Sequence, residues 1–204
     1  MFDSIGVGDS ASPGILLRYA AEGLQVPPRT GDDLQVHSRA LAVMQNLAQR
    51  DEGLQVLLAL PGVLRAVGFA LQGAAERTEL PAAERKQVAM GALKTLANVS
   101  ADANGAAASA QHVSVHFVAW LCSATDDTEV GGGAAAAQAC PDTAERGIRV
   151  MGNWAAHDKA WMHASASVAR TPGAVRVALH KLQEQVLEDA ILLEQAANVL
   201  RRME

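Results

Sequence analysis

The sequence predicts an all-α protein built from a repeated helical unit. Half of its 204 residues are hydrophobic but only 3% are aromatic, and Ala and Leu dominate, which favours closely packed helices over sheets. Four segments place apolar residues at helical spacing, and each ends near an Asn. The phrase Pro-Gly-aliphatic-aliphatic-Arg opens two distant segments, at 61–65 and 172–176. A helical repeat accounts for all three observations.

Residues 1–32 are expected to form a lead that contains one short helix. Residues 1–13 are rich in Gly, Ser and Asp, and the segment 14–26 carries Leu and Ala on one side of a helix. Pro and Gly within 27–33 oppose continuation of that helix. The repeat array is expected to follow, over residues 33–204.

Each unit of the array is expected to end in a long helix that carries an Asn near its end. These helices are predicted over 37–49, 84–100, 143–156 and 188–203, and their Asn residues are Asn46, Asn98, Asn153 and Asn198, separated by 52, 55 and 45 residues. The residue two positions before the Asn is apolar in all four, and the residue six before is small in three. A small residue lets a neighbouring helix approach, and an apolar one fills the seam between them.

Two further helices are expected between successive long helices. A short amphipathic segment follows each of the first three, and the Pro-Gly phrase then opens a second helix, because Pro is favoured near a helix start. The middle unit keeps the apolar pattern over 111–121 without that phrase. Insertions near 73–83 and 123–143 lengthen the units beyond the roughly 40–47 residues usual for such repeats.

The long helices resemble the third helix of armadillo repeats, which ends in a pattern close to A-x-x-x-L-x-N-L-A. The segments ALAVMQNLAQRDEG and ALKTLANVSADANG fit this ending closely, GIRVMGNWAAHDK fits with substitutions, and AANVLRRME fits in part. The resemblance covers about three and a half units and implies an α-α superhelix, or solenoid. HEAT repeats would give the same fold class. One such unit cannot bury its own apolar face, so units must stack and share a core.

The resemblance also implies a binding role for the Asn residues. In armadillo proteins the third helices line a concave groove, where this Asn often forms hydrogen bonds with the backbone of an extended peptide. The positions in this chain that the resemblance implies are Asn46, Asn98, Asn153 and Asn198. The alternative is that these residues cap or link helix ends. Members that bind nuclear-localisation peptides carry Trp four residues before the Asn, where this chain has Ala42, Lys94, Arg149 and Glu194. Binding of such peptides is therefore not expected, and Trp120, Trp154 and Trp161 are predicted to be core residues.

Basic side chains recur on the same side of the long helices as the Asn residues: Arg39, Lys94, Arg146 and Arg149. Offsets of four and seven residues return near one helix face. The chain as a whole has a net charge of −5, so a basic groove on an acidic protein suggests an acidic partner segment. The alternative is a solvated face with local ion pairs.

Other classes of function find little support in the sequence. His112 and His116 lie four apart on a predicted helix, but no third ligand accompanies them. No phosphate-binding loop and no basic-aromatic run for nucleic acid is present. We therefore expect that the protein binds no cofactor and no metal, does not insert into a membrane and is not an enzyme. Two cysteines make no disulfide framework, which favours an intracellular protein.

The sequence therefore predicts a scaffold that binds an extended, acidic protein or peptide segment. A structural subunit of a larger assembly, which would use the outer faces and ends of the solenoid, is the alternative.

Overall fold

The computed structural model describes residues 13–123, 141–166, 172–186 and 189–204. These residues form eleven α-helices and no strand. The helices are α1 Pro13–Leu24, α2 Gly31–Ala48, α3 Asp51–Ala59, α4 Val63–Glu76, α5 Ala82–Ser100, α6 Ala103–Ser109, α7 Val115–Ser123, α8 Pro141–Ala155, α9 Asp158–Ala164, α10 Pro172–Gln185 and α11 Ala190–Arg202.

The four long helices α2, α5, α8 and α11 pack side by side in that order and form one layer. The short helices α3, α6 and α9 also contact one another in order, while α1 packs on α4 and α7 packs on α10. Each unit thus stacks on its neighbour through equivalent helices, which is the all-α solenoid that the sequence predicts. The core runs through the whole array, from Leu17 in α1 to Val199 in α11.

The first long helix begins earlier than the sequence pattern suggests. The segment 27–33 was expected to lie between helices, but α2 starts at Gly31 because Thr30 caps it. The Thr30 Oγ1 accepts a hydrogen bond from the Asp33 N–H at 3.2 Å, and the Asp33 carboxylate accepts one from the Thr30 N–H at 3.0 Å. This reciprocal capping satisfies donors that a helix start otherwise leaves open.

The Pro-Gly phrase plays a different part in its two copies. Pro61 and Gly62 form a turn before α4, and Gly62 has a φ of 86°, a left-handed conformation that glycine adopts without strain. In the later copy Pro172 is already the first residue of α10. The phrase marks the second helix of a unit in both places, as the sequence predicts.

The two predicted insertions fall between the second and third helices of their units. Within 73–83, the residues up to Glu76 still belong to α4, and five residues connect it to α5. The buried Arg85 closes this connection by donating from Nε to the Leu80 carbonyl at 3.1 Å and from Nη1 to the Ala74 carbonyl at 3.4 Å. Most of the second insertion, 124–140, lies outside the described residues.

Two of the three tryptophans are core residues, and the third is not. Trp154 is fully buried and Trp161 nearly so, as predicted. Trp120 is 39% exposed on α7, beside Phe117 at a ring-centroid distance of 5.8 Å. An apolar pattern alone did not reveal that this side of α7 lies at the surface.

No single helix in the described part of the chain is long and apolar enough to cross a membrane. Helices α3 and α4 meet that criterion only as a pair, and they are bent by 88° relative to each other.

A buried histidine joins α1 to α2. His37 is 3% exposed, and its Nε2 lies 3.2 Å from the Gly23 carbonyl at the end of α1. Its Nδ1 is buried without a hydrogen-bond partner in the described structure. Burial lowers the pKa of His37 below its ordinary value, and the Gly23 carbonyl and the nearby Asp33 carboxylate oppose this effect.

Stability is therefore expected to fall as the pH drops through the ordinary histidine pKa of about 6.5. The unfolded chain takes up the proton there, whereas the folded chain holds His37 neutral. Urea denaturation of the wild type and of His37→Gln between pH 8 and pH 5 measures this effect. The pH-dependent loss should be smaller in the variant, and an equal loss in both proteins would contradict the assignment.

Candidate protein-binding groove

An open groove of ≈ 490 Å³ runs between α2 and α5. All but one of its lining residues come from these two helices, and the exception is Asp142 at the start of α8. None comes from the shorter helices. The groove therefore lies on the face of the long-helix layer that points away from the rest of the units. Its lining residues are Ser38, Ala42, Gln45, Ala83, Lys86, Gln87, Met90, Gly91, Lys94 and Asp142.

The close approach of α2 and α5 shapes the floor of this groove. A Cβ on Gly91 would lie 3.2 Å from the Leu41 Cβ, so the small residue allows the two helices to touch. Nearby, the Thr95 hydroxyl is 2.8 Å from the Gly91 carbonyl of its own helix and 3.4 Å from the Leu41 carbonyl of α2. These contacts hold the two helices at a fixed distance, and the groove follows their seam.

Positive charge prevails among the ionisable groups of the groove. Lys86 and Lys94 lie two helical turns apart on α5, are half-buried, and make no ion pair among the described residues. The exposed carboxylate of Asp142 is the one acidic group in the lining. An occupant with carboxylates would find two ammonium groups that form no ion pair within the described part of the chain.

The predicted Asn residues link neighbouring long helices. The Asn98 Nδ2 donates to the Gln45 carbonyl of α2 at 3.4 Å. The Asn153 Nδ2 donates to the Ala97 carbonyl of α5 at 3.3 Å and to the Ser100 Oγ at 3.1 Å. In both cases the accepting carbonyl belongs to the residue just before the Asn of the preceding unit, so the bond recurs from one unit to the next.

The other two Asn residues lie in different surroundings. Asn46 is exposed on α2 and makes no hydrogen bond within the described residues. Asn198 accepts a hydrogen bond from Arg201 and lines a separate surface recess of ≈ 360 Å³ with Arg202, Ala155 and Ala156. There Arg202 takes over the link to the preceding unit, because its Nε donates to the Ala155 carbonyl at 2.9 Å and its Nη1 pairs with Asp158 at 2.7 Å.

The four predicted basic residues do not form one basic strip. Lys94 lines the groove, and Arg39 is exposed outside it. Glu145 lies 3.0 Å from the Arg149 Nε and 3.5 Å from the Arg146 Nη1. The two arginines therefore share one carboxylate, which offsets one of their two charges, as the alternative of local ion pairs anticipates in part.

Several lining residues did not emerge from the sequence, although a signal was present. Lys86 and Met90 lie eight and four residues before Lys94, which is the spacing of one helix face. Ser38 and Gln45 show no comparable signal, because they enter the groove only through the packing of α2 on α5.

No cluster of three or more metal-ligating side chains is found in the described residues. His112 is exposed, and the pKa of its imidazole is lowered by partial desolvation and by the nearby Arg65. It lines a shallow recess of ≈ 380 Å³ with Gln72, Ser114 and His163, while His116 lines a different one beside Trp120. The structure therefore places the two histidines of the predicted pair at separate surfaces.

Comparison with known proteins shows no family for this chain. No protein-family model and no curated protein matches the sequence. Among solved structures, the chain is similar to "Designed armadillo repeat protein YIII(Dq)4CqI", with 14% sequence identity, 96% of each chain covered and a TM-score of 0.42. The stacking of equivalent helices described above defines the chain as an all-α helical repeat array.

Proposed function

We propose that this protein is a non-enzymatic scaffold that binds an extended acidic segment of a partner protein in the groove between α2 and α5. The observation that carries this proposal is the pair of lysines, Lys86 and Lys94, which line an open groove and make no ion pair with any carboxylate that the structure describes. Long-helix surfaces of repeat arrays are extended, and stacked units commonly use them to bind other proteins.

The remaining lining residues suit the backbone of an extended segment. The amides of Gln45 and Gln87 can each donate to a peptide carbonyl and accept from a peptide N–H. Ala42 and Met90 supply apolar surface between them. Polar backbone contacts combined with two charges would fix the register of the segment without requiring deep side-chain pockets.

The Asn residues differ in what they can offer to such a segment. Both donor hydrogens of the Asn153 amide have acceptors in α5, whereas Asn98 donates in one described bond and retains a second N–H. Asn98 therefore retains a donor that Asn153 does not, although neither residue lines the groove, and Asn153 serves chiefly to link α8 to α5.

A binding experiment with charge variants tests the proposal. Extended peptides with acidic, neutral or basic side chains are titrated into the full chain, and the acidic series should bind best and lose affinity with added salt. Reversing both lysines in Lys86→Glu/Lys94→Glu should weaken binding of the acidic series by about a hundredfold, or about 2.7 kcal/mol. The matched control is Lys159→Glu, an exposed lysine on α9 outside the groove.

Equal affinity of the double variant and the control for acidic peptides would overturn the groove assignment. A pull-down from the native source with wild type, Arg149→Glu and Asn153→Ala extends the test to α8. A partner that is retained by all three proteins does not depend on the Arg149 or Asn153 side chain of α8.

A permanent subunit of a larger assembly is the second candidate function. It is favoured by exposed apolar side chains away from the groove, among them Trp120 on α7 and Val177 on α10, which line one recess of ≈ 300 Å³. A subunit would co-purify with its partners at fixed stoichiometry and resist salt, whereas groove binding by charge would not.

A further inference from the structure

The stacking of α5 and α8 on the long helices before them uses equivalent positions. The positions compared are ten residues before the Asn, three before it and the Asn itself: Val88, Thr95 and Asn98 in α5, and Thr143, Val150 and Asn153 in α8. Thr95, Asn98 and Asn153 contact the preceding long helix. Val88, Thr95, Thr143 and Val150 are all at most 1% exposed. The Asn of each set donates to a carbonyl of the preceding helix. We call this set of positions the leading face.

The leading face of α2 is uncovered by any described residue. The equivalent residues are Val36, Val43 and Asn46, and the two valines are 59% and 53% exposed. Asn46 is exposed and has no hydrogen-bond acceptor in the described structure. Val36 and Val43 lie seven residues apart and are followed by the Asn46 amide. This spacing matches the positions that α5 and α8 bury.

The opposite side of each long helix, which we call the trailing face, receives the next unit. Its positions are five residues before the Asn, one residue before it and two residues after it. The position five before is fully buried in the first three long helices, as Leu41, Leu93 and Ile148. In α11 the equivalent residue, Leu193, is only partly buried, and so are Ala197 and Leu200 at the other two positions.

We propose that two copies of this chain stack head to tail, with the trailing face of α11 of one copy on the leading face of α2 of the next. Each end of the described array carries one half of an interface that the chain forms internally between successive long helices. Joining them repeats the internal contact: Val36 and Val43 cover Leu193, and the Asn46 amide donates to the Ala197 carbonyl.

A charged residue within the leading face of α2 does not oppose this stacking. Arg39 lies seven residues before Asn46, and the equivalent position in α8 holds Arg146. Arg146 is half-buried and paired with Glu145, and α8 nevertheless stacks on α5. The contact is therefore compatible with arginine at this position.

The exposed apolar residues also concentrate at this end of the described structure. Of the eleven large hydrophobic residues that are exposed, six lie between Ile15 and Val43. The terminal unit of a repeat array normally presents polar surface, because nothing stacks on it. An apolar face at one end of the described array indicates a surface that is covered in the working protein.

Sedimentation equilibrium over a dilution series tests the proposal. The weight-average mass of the wild type should rise with concentration above the single-chain value of 21.3 kDa and continue beyond that of a dimer, because a head-to-tail contact does not close on itself. Val43→Asp blocks the leading face and Leu193→Glu the trailing face, and each variant alone should remain at the single-chain mass. The matched control is Val177→Asp, an equally exposed valine on α10, which should associate like the wild type.

Mixing the two blocked variants gives the sharpest outcome. Each retains the face that the other lacks, so the mixture should form one-to-one heterodimers and nothing larger. Association of Val43→Asp alone, a wild type that stays at 21.3 kDa up to about 1 mM, or a mixture that remains monomeric would each overturn the proposal. Should Leu193→Glu fail to fold by circular dichroism, Leu200→Glu replaces it. Val43→Asp should lose self-association but keep the wild-type affinity for acidic peptides. This combination distinguishes a failure of the stacking proposal from a failure of the groove proposal.

Discussion

Replacing Trp154 with Ala is expected to destabilise the protein by about 3–5 kcal/mol. Trp154 is the largest fully buried side chain in the described structure and lies in α8. Its indole Nε1 donates to the Ser109 Oγ of α6 at 3.0 Å, so it joins the first and third helices of one unit. Truncation removes the transfer free energy of the ring and leaves a cavity between rigid helices, which can collapse only in part.

Trp154→Phe separates the ring from the hydrogen bond. It retains an aromatic ring, and the Ser109 hydroxyl still has the Ala106 carbonyl at 3.1 Å as an acceptor. We expect a loss of about 1–2 kcal/mol for this variant. Urea denaturation followed by far-UV circular dichroism measures both changes. An Ala variant that loses no more than the Phe variant would contradict the assigned core position.

The second large effect is expected at Gly105, where the first helix of one unit meets the end of the long helix before it. A Cβ built on Gly105 would lie 2.1 Å from the Val99 carbonyl oxygen, at the end of the preceding long helix. Gly53 repeats this arrangement one unit earlier, where a Cβ would lie 2.3 Å from the Leu47 carbonyl oxygen. Because the obstacle is backbone, α6 must shift to admit a methyl group, and we expect Gly105→Ala to cost about 2–3 kcal/mol.

Gly23→Ala is the matched control, because nothing lies within 4 Å of a Cβ built on this helical glycine. It should be neutral or stabilising by up to about 1 kcal/mol, since Ala favours the helix. Thermal denaturation of both variants measures the difference. If Gly105→Ala melts at or above the temperature of Gly23→Ala, the described distance between α6 and the end of α5 is wrong.

The sequence was sufficient to predict the helices and their order, because each long helix has its own apolar period. It could also place the Asn residues near the helix ends, since that depends on local spacing. The sequence analysis missed the start of α2, although its signal was present. Thr30 followed by Asp33 is a capping pattern, and it outweighs the nearby prolines.

The groove was harder to predict than the helices. Arg39 and Arg146 were grouped with Asn46 and Asn153 because an offset of seven returns to the same face. That face is the seam between units, as the Asn153 bond to α5 shows. The groove follows this seam, and its α5 lining includes Gly91 at the offset of seven as well as Lys94 at the offset of four. Local spacing fixes which residues share a face, but only packing against the preceding helix determines what that face contacts.

Contacts between units could not be predicted for the same reason. The amide of Asn98 and the carbonyl of Gln45 are 53 residues apart, and their meeting depends on the crossing of α5 over α2. Pairing of Arg146 and Arg149 with one carboxylate likewise depends on the rotamers of Glu145 on α8. The sequence therefore overestimated the positive charge available to a partner.

The central claim is that successive long helices stack side by side and are linked by the amide of an Asn. Nuclear Overhauser contacts of the Asn98 and Asn153 side-chain amide protons test this most directly. We predict contacts from Asn98 to the last turn of α2 around Gln45, and from Asn153 to Ser100 at the end of α5. Amide protons that show contacts only within their own helices would contradict the stacked array.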